Sequence, residues 1–424
     1  MKNVEIIAEK LASIGHKIYV VGSYNVHTIL KKNFGSDVDL TTPARPEEIR
    51  KVLKVVGEIG AKYGTLIVRE GGELYEITSF RKDIGSINHR KPKEVIYTTS
   101  LEKDAKRRDF TFNAIYYNPL EKTYTDPVGG ISDLEKGLIR FVGNPGKRLD
   151  EDILRLLRYI RLKNKYGLSP AESSYKQFIT SRIPELHNIS LDRIKQEFDK
   201  MLVDKTNISS LEDLKKYGFF REFLPQIDNL SLSPGGKIMH KEGNVWIHTL
   251  MSLQELNHLK CNDSDIYWTT ILHDIGKYST YSFDDLGNIH YFGHEEIGLK
   301  IFTDYVVKQL PFSKKSQSKI KWLIKNHIRI GNIENMKKNK SYELMSHPYF
   351  EDLITLCIVD NLGKNPPNKE CGPRLQSMYS EFQTKLKNVK LLTGDDIMKL
   401  YPELKGKYIG LKLKTENNKI LERM

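Results

Sequence analysis

The strand-forming signals of this chain are confined to its first third, and this limits the available folds more than any other feature. An apolar helical pattern at Val4, Ile7, Leu11 and Ile14 precedes several short β-type segments, whereas amphipathic helical periodicity dominates from Asp150 to the C-terminus. Strands followed by a long run of helices favour an α+β protein. We therefore predict the α+β fold class, with a small mixed-sheet head followed by an all-α neck and body and a second all-α domain.

Within the head, strands are predicted at 17–21 and 38–40. A hairpin of residues 65–69 and 74–80 is predicted around Gly71-Gly72, with a further strand at 95–97. We expect the sheet to end there.

At 424 residues the chain is too long for one ordinary compact core, so several domains are expected. Turn-forming residues at 231–236 and 365–373 indicate two of the boundaries. The expected divisions are residues 1–140, 141–230, 231–365 and 366–424.

The charge of the chain suits a polyanionic partner. Lys and Arg total 67 against 54 for Asp and Glu, a formal net charge of +13, although charge alone does not separate RNA, DNA and anionic membrane. Glu5 and Glu9 interrupt the N-terminal apolar pattern, so we expect neither a signal peptide nor a membrane partner, and a cytoplasmic location. Three cysteines without CxxC spacing argue against a disulfide framework and a thiolate zinc site.

Two carboxylates stand two positions apart on a predicted strand. Asp37 and Asp39 would face the same side and hold Mg²⁺ against a triphosphate, although a solvated acidic strand end is the commoner reason for such a pair. Gly22-Ser23 precedes them and supplies a turn whose N–H groups can cradle phosphates. Glu76, on a neighbouring predicted strand, is a candidate third catalytic carboxylate.

Five segments follow one another in a fixed order between Gly22 and Arg155. They are Gly22-Ser23 with Asp37-Val38-Asp39, Phe80-Arg81-Lys82-Asp83 with Arg90-Lys91-Pro92, the stretch from Arg107-Arg108-Asp109 to Asn113-Ala114, Asp126-Pro127-Val128-Gly129-Gly130, and Glu151-Asp152-Ile153-Leu154-Arg155. This order resembles the nucleotidyltransferases of the DNA polymerase β superfamily, specifically the bacterial CCA-adding enzymes and poly(A) polymerases. Ordered agreement of five segments is far more specific than any one of them.

The resemblance implies template-independent addition of C and A, from CTP and ATP, to tRNA 3′ ends. It implies Mg²⁺ held by Asp37 and Asp39, with residues 141–230 serving nucleotide selection and RNA binding. The implied nucleotide-binding residues are Gly22, Ser23, Arg107, Arg108, Asp109, Asn113, Glu151, Asp152, Arg155 and Arg158. Arg108 suits a phosphate and Asp109 a ribose hydroxyl.

Asp152 and Arg155 are spaced i, i+3 and are predicted to lie on one face of a helix, where a surface ion pair is the ordinary interpretation. Asp accepts hydrogen bonds and Arg only donates them. Cytosine and adenine each present an amino donor beside a ring-nitrogen acceptor, whereas uracil and guanine present a carbonyl beside an N–H. By resemblance, the two residues are predicted to act as a protein template that favours C and A.

One segment departs from the family pattern. After Gly22-Ser23 the chain reads Tyr24-Asn25-Val26-His27, without the Arg and Asp that are customary there. The departure puts in doubt how the triphosphate or the primer end is positioned.

A second set of candidate ligands follows the head. His248, His273-Asp274 and Asp360 occur in that order, and imidazole and carboxylate are ligands that first-row divalent metals accept. The set resembles the HD phosphohydrolases fused to bacterial CCA-adding enzymes. The resemblance implies a divalent transition metal, of the Ni, Mn, Co or Fe type, and hydrolysis of phosphomonoesters or 2′,3′-cyclic phosphates. His294 and His327 are candidate ligands of a second metal.

Residues 392–396 resemble the family's C-terminal segment, which lies near bound tRNA. A poly(A) polymerase and a CC-only or A-only enzyme remain alternatives for the head, and the HD ligands favour CCA addition. An HD phosphohydrolase with a catalytically weak RNA-binding head, or a non-catalytic RNA-binding module, would belong to a different class. The sequence leaves the oligomeric state open.

Overall fold

The computed structural model describes residues 1–32, 38–58, 63–85, 94–235, 243–387, 389 and 392–423. The chain divides into two compact units, Met1–Gly218 and Phe219–Met424. Asp37 and the predicted segment Arg90-Lys91-Pro92 lie outside the described residues.

The first unit contains eleven described strands and ten described α-helices. The strands are β1 Tyr19–Val21, β2 Asp39–Thr42, β3 Val55–Gly57, β4 Thr65–Glu70, β5 Glu73–Ser79, β6 Arg81–Ile84, β7 Glu94–Tyr97, β8 Tyr116–Asn118, β9 Thr123–Thr125, β10 Leu138–Ile139 and β11 Ser169–Pro170. The helices are α1 Lys2–Ala12, α2 Ser23–Leu30, α3 Pro46–Val52, α4 Leu101–Lys106, α5 Gly130–Glu135, α6 Pro145–Glu151, α7 Arg155–Tyr166, α8 Tyr175–Arg182, α9 Leu191–Leu202 and α10 Asn207–Lys216. Short 3₁₀ turns occupy Thr111–Ala114 and Ile183–Asn188.

A seven-stranded mixed sheet with the order β3-β4-β5-β2-β1-β8-β9 forms the head. Its β2–β5 pair is parallel, and its other pairs are antiparallel. Helix α1 buries Val4, Ile7 and Leu11 in the same core as Leu40 and Ile77 of the sheet. The predicted α1 pattern and the β4–β5 hairpin are confirmed.

The expectation that the sheet ends near residue 97 is wrong. Strands β6 and β7 form a separate two-stranded sheet, and the later strands β8 and β9 extend the main sheet beyond β1. Each of these two added strands has only three residues. A segment so short carries too little alternation to be recognised, and its place is fixed by pairing with β1.

The described part of the second unit is helical apart from one small hairpin, so the α+β assignment is confirmed. Its helices are α11 Phe219–Phe223, α12 Pro225–Asp228, α13 Val245–His258, α14 Ser264–Leu272, α15 Lys277–Thr280, α16 His294–Ile301, α17 Val307–Gln309, α18 Lys314–Asn326, α19 Lys338–Met345, α20 Phe350–Leu362, α21 Cys371–Leu386, α22 Gly394–Leu400 and α23 Lys407–Arg423. Strands β12 Ser282–Phe283 and β13 Ile289–His290 form the hairpin, a π-helical turn spans Phe302–Val306, and 3₁₀ turns span Asn229–Leu232 and Arg329–Asn335. No helix in the described part of the chain is long and apolar enough to cross a membrane.

Candidate active sites

A cavity of about 710 Å³ lies in the first unit, between the sheet and the helices that follow it. Of the sequence-predicted head residues, those that line it are Gly22, Ser23, Asp39, Arg107, Arg108, Asp109, Asn113, Asp152, Arg155 and Arg158. Its cationic side chains outnumber its carboxylates, which suits an anionic ligand. Residues from three of the five sequence motifs therefore meet at one cavity.

Gly22 places the start of helix α2 directly against Asp39. Gly22 has φ +74°, in the left-handed region, and a Cβ added there would lie 3.0 Å from Oδ2 of Asp39. Only glycine allows this approach of backbone and carboxylate. The amide groups at the first turn of α2 thus lie beside a side chain suited to a cation. This arrangement of backbone amides and a carboxylate fits a divalent cation beside a phosphate group.

Glu76 lies beside Asp39 in the sheet. The parallel β2–β5 register pairs Asp39 with Glu76, and both residues alternate with the buried Leu40 and Ile77. The two carboxylates therefore share one exposed face, as the prediction of a third carboxylate requires. Glu76 does not, however, line the cavity.

Asp104 was missed by the sequence analysis. Its carboxylate anchors two arginines that are predicted to bind the nucleotide, Arg107 and Arg108. It is fully buried at the end of α4, where Arg107 Nη2 lies 2.7 Å from Oδ1 and Arg108 Nη2 lies 2.9 Å from Oδ2. Tyr116 donates a further hydrogen bond of 2.7 Å to Oδ2. Burial opposes ionisation, but Arg108 and Arg107 hold the pKa of Asp104 at about 2. The i, i+3 and i, i+4 spacing of these charges was the available signal.

Asp109 is the centre of a second network. Its Oδ1 accepts from the Phe110 and Asn113 nitrogens at 2.9 Å, and its Oδ2 accepts from Arg158 Nε at 2.8 Å. Burial raises the pKa of Asp109, but Arg158 and Asn113 outweigh it and lower the pKa to about 2. The carboxylate therefore stays ionised and oriented at the cavity wall.

Asp152 and Arg155 do not share a helix face, so this prediction is wrong. Helix α6 ends at Glu151, Asp152 is extended, and α7 begins at Arg155. The helix is interrupted there because Asp152 Oδ1 accepts a hydrogen bond from the Leu154 amide at 3.1 Å, which turns the backbone.

The cavity nevertheless brings the two side chains together, each held by its own partner. Asp152 pairs with Arg193 at 2.8 Å, and Arg155 pairs with Glu151 at 2.6 Å and donates to the Arg107 carbonyl at 2.8 Å. Glu151 itself does not line the cavity, so it orients Arg155 from behind.

The part of the cavity wall formed by α7 and α9 carries further cationic side chains that no sequence motif indicated. Arg161 and Lys165 on α7, with Lys200 on α9, line it together with Tyr166. Arg155, Arg158 and Lys165 recur at helical spacing, which was the signal available in the sequence. Burial raises the pKa of Tyr166 to about 12, so its hydroxyl stays neutral.

The segment that departs from the family pattern has a packing role. Asn25 is fully buried, and its Nδ2 donates to the Val20 and Ile115 carbonyls at 2.9 and 2.8 Å. The His27 ring lies edge-on to Tyr166. These residues tie α2 to the sheet and to α7, in place of the customary charged pair.

The second unit gathers all six predicted HD residues. His248 Nε2 lies 2.9 Å from Asp360 Oδ1, and His273 Nε2 lies 3.3 Å from Asp274 Oδ2. On the other oxygen of Asp274, His294 Nε2 lies at 3.3 Å and His327 Nε2 at 3.7 Å. Asp274 therefore bridges two ligand clusters, His248–His273–Asp274 and Asp274–His294–His327.

The four imidazoles are arranged as metal ligands. Each Nδ1 faces a backbone carbonyl, those of Gly363, Thr270, Tyr291 and Ile324, at 2.6–3.3 Å. Donation from Nδ1 fixes the tautomer and leaves the Nε2 lone pair for a metal. Among the described residues, the buried Nε2 of His273 makes no hydrogen bond. This donor set fits first-row divalent metals.

Local packing and charge support the same interpretation. A Cβ at Gly276 would lie 2.1 Å from the His294 carbonyl, so glycine lets the two ligand segments meet. Burial opposes ionisation of Asp274, but His273 and Lys277 hold its pKa well below the usual range. Burial also opposes ionisation of Asp360, but Lys364, with its Nζ 2.8 Å from Oδ2, holds the pKa of Asp360 well below the usual range. Both carboxylates are therefore anionic and ready to bind a cation.

Comparison with known families agrees with this geometry. Residues 18–140 match the Poly A polymerase head domain, residues 172–230 the "Probable RNA and SrmB- binding site of polymerase A", and residues 244–364 the HD domain. Three stretches of the chain therefore resemble, in order, the head and RNA-binding domains of the poly A polymerase class and an HD domain.

The relatives with similar sequences carry a more specific name than the matched domain families do. The chain is 30% identical over 252 residues to the CCA-adding enzyme of Limosilactobacillus reuteri (strain DSM 20016), covering 58% of this chain and 62% of the relative. It is 37% identical over 212 residues to the CCA-adding enzyme of Geobacillus thermodenitrificans (strain NG80-2), covering 50% and 52%. The chain thus spans less than two thirds of the length of these relatives.

Solved structures share the fold over nearly the whole chain. The Bacillus stearothermophilus CCA-adding enzyme in complex with CTP superposes with a TM-score of 0.73 at 22% identity, covering 100% of this chain and 93% of that one. The Thermotoga maritima CCA-adding enzyme complexed with tRNA gives a TM-score of 0.57 at 17% identity, covering 99% and 90%.

Proposed function

We propose that this chain adds CCA to tRNA 3′ ends from CTP and ATP without a nucleic-acid template. The observation that carries the proposal is the single cavity that unites Asp39 and Gly22 with Arg108, Asp109 and Asp152. The relatives named CCA-adding enzyme favour this activity over poly(A), CC-only or A-only addition. A tRNA substrate also fits a cytoplasmic location.

Asp37 and Asp39 would hold Mg²⁺, which when bound neutralises charge on the triphosphate and on the attacking and leaving oxygens. Arg108, fixed by Asp104, would bind a phosphate. Asp109, held ionised by Arg158, would accept a hydrogen bond from a ribose hydroxyl. Arg107 would add cationic charge beside the triphosphate.

The four-part division at residues 140, 230 and 365 belongs to the same proposal. The family matches at 18–140, 172–230 and 244–364 support three of its parts. The cations Arg161, Lys165 and Lys200 on the cavity wall suit the RNA backbone near the reacting 3′ end.

The direct test supplies tRNA that lacks its 3′ end, with each labelled nucleotide singly and in pairs. CCA addition requires incorporation of two C residues and one A, followed by a stop. A long A tail would instead identify a poly(A) polymerase, and arrest after CC or addition of A alone would identify a specialist. Absence of any incorporation would contradict the proposal and leave a binding head.

We propose, further, that the HD domain is a metal-dependent hydrolase of phosphomonoesters or 2′,3′-cyclic phosphates. His248, His273, Asp274 and Asp360 would hold one divalent transition metal, of the Ni, Mn, Co or Fe type. His294 and His327, which lie beside the other oxygen of Asp274, would hold a second with Asp274. Lys277 and Lys364 would orient the two carboxylates.

Asp152→Ala or Arg155→Ala should relax the choice of nucleotide. Each side chain is fixed by its own ion pair, so the acceptor and donors reach the base edge preorganised. Because a mismatched edge leaves buried polar groups unpaired, discrimination against UTP and GTP should fall by about tenfold or more. The measurement is the ratio of kcat/KM values for the four nucleotides on one tRNA.

Lys165→Ala is the matched control for this pair, since Lys165 lines the same cavity on α7. This variant should lower kcat/KM for all four nucleotides by the same factor, because the point charge of a lysine interacts with phosphate and not with the base. Unchanged selectivity in both template variants would show that C and A are chosen elsewhere.

Asp104→Asn should destabilise the head and raise KM for CTP and ATP. The change leaves Arg107 and Arg108 without their buried counter-charge, which costs about 3–5 kcal/mol. Urea unfolding measures the stability loss, and initial rates measure KM. Glu102→Gln, an exposed change on the same helix, should alter neither quantity. Wild-type stability and KM in Asp104→Asn would contradict the anchoring role.

A further inference from the structure

An exposed aromatic hairpin projects from the second unit. Strands β12 and β13 carry Phe283, 60% exposed, and are followed by Phe292, 79% exposed. Tyr281 precedes them at 44% exposed, and Leu286 at the tip is 82% exposed. So many large apolar groups on one short exposed hairpin are typical of a binding surface.

Hydrogen bonds and a ring stack hold the hairpin together. Asp284 closes its turn, accepting from the Asn288 amide at 2.8 Å and the Leu286 amide at 3.0 Å. The His290 ring bonds to the same carboxylate at 3.1 Å and stacks on Phe292 with centroids 5.1 Å apart and planes 7° from parallel. Phe292 is therefore held with much of its surface open to solvent.

The base of the hairpin meets the HD ligands. Lys277 pairs with Asp274 at 2.6 Å, and its Nζ lies 5.1 Å from the Tyr291 ring centre. The Tyr291 carbonyl faces His294 Nδ1 at 2.7 Å, and Tyr291 lines a small cavity that reaches His248. The segments at the two ends of the hairpin therefore contact the ligand cluster, through Lys277 before it and Tyr291 after it.

We propose that this hairpin stacks the terminal nucleobases of a single-stranded RNA end and so presents its terminal phosphate to the HD centre. The inference rests on the proposed phosphohydrolase function and names its substrate class. Hydrolysis of a 2′,3′-cyclic phosphate adds one water, breaks one P–O bond and leaves a phosphomonoester with one free hydroxyl.

Ring chemistry favours nucleobases as the occupant. When a phosphate lies at the ligand cluster, the attached nucleoside must lie outside it, and Tyr281, Phe283 and Phe292 present open rings on the adjoining hairpin. Stacking on such rings is tolerant of base identity, because every base has a π face. A broken RNA end of any sequence could therefore be accepted.

The test compares two substrates of the metal-loaded full chain. One is a short single-stranded RNA ending in a 2′,3′-cyclic phosphate, and the other is glycerol 1,2-cyclic phosphate, which has no base. Phe283→Ala and Phe292→Ala should each lower kcat/KM for the RNA by about tenfold and leave the glycerol substrate unchanged. Phe292→Trp should retain RNA activity, and Leu286→Ala, an equally exposed but non-aromatic change, should have no effect.

A binding readout separates this inference from the proposed hydrolase function. RNA with 2-aminopurine as its last base should show fluorescence quenching by the wild type that is lost in Phe292→Ala, whether or not hydrolysis occurs. Hydrolysis of neither substrate by the wild type would contradict the hydrolase function alone. The stacking role would be overturned by equal losses of activity on both substrates or by unchanged quenching. It would also be overturned if the variants changed only the fraction of dimer measured by sedimentation.

Discussion

Asp39→Asn should reduce nucleotide incorporation by about a thousandfold or more, since a bound divalent ion stabilises transition-state charge by several kcal/mol. Asparagine keeps the shape of the side chain beside Gly22 and removes the charge that holds the cation. The fold and the RNA affinity should stay near wild type, because RNA binding rests mainly on Lys and Arg. Labelled CTP and ATP incorporation, thermal unfolding and RNA binding measure the three expectations.

The control for this variant is Glu73→Gln, which alters a carboxylate of strand β5 outside the cavity. It should leave incorporation unchanged. Glu76→Gln then tests the third carboxylate, which shares the face of Asp39 and stands in register with it. Asp37→Asn should match Asp39→Asn. Normal incorporation by both aspartate variants would overturn the assignment of the active site.

His273→Ala should abolish metal-stimulated phosphohydrolase activity and spare CCA addition. The side chain is buried against Asp274 and Asp360, so its loss removes a ligand from the first cluster. Head and HD residues fall in different compact units, so the two activities are expected to be separable. Phosphate release, nucleotide incorporation and bound metal per chain are measured on the same preparation.

Asp274→Asn extends this test to both ligand clusters. Because Asp274 faces His248 and His273 with one oxygen and His294 and His327 with the other, its substitution should lower metal binding at both. His258→Ala, an exposed histidine on the same helix as His248, is the control and should change nothing. Loss of both activities in a well-folded His273→Ala would show that the two sites are not independent.

Residue order along the chain was sufficient to predict which side chains the structure gathers at the two candidate sites. Asp39, Arg108 and Asp109 were predicted from motif order, and the structure brings them to one cavity. The HD ligands were predicted in the same way, and their Nε2 atoms converge on Asp274 and Asp360. Such motifs can be recognised in a sequence because few types of side chain can bind a metal or a phosphate, whatever their position in the fold.

Only the tertiary structure decided how these groups are held. Asp104 meets Arg108 within one helical turn, but its importance comes from burial and from Tyr116, which β8 brings to it from outside the helix. Asp152 and Arg155 share a spacing that favours one helix face, yet Asp152 caps a break between two helices. Local spacing does not encode which partners a long-range contact supplies.

The sequence by itself thus determined the fold class, the β4–β5 hairpin and the candidate site residues, because period and residue chemistry are local properties. The fold decided that β8 and β9 would complete the sheet, that Arg193 would pair with Asp152, and that Phe292, two residues before His294, would remain exposed. Each of these depends on pairing or packing between distant segments. Burial and exposure are settled only when those segments meet.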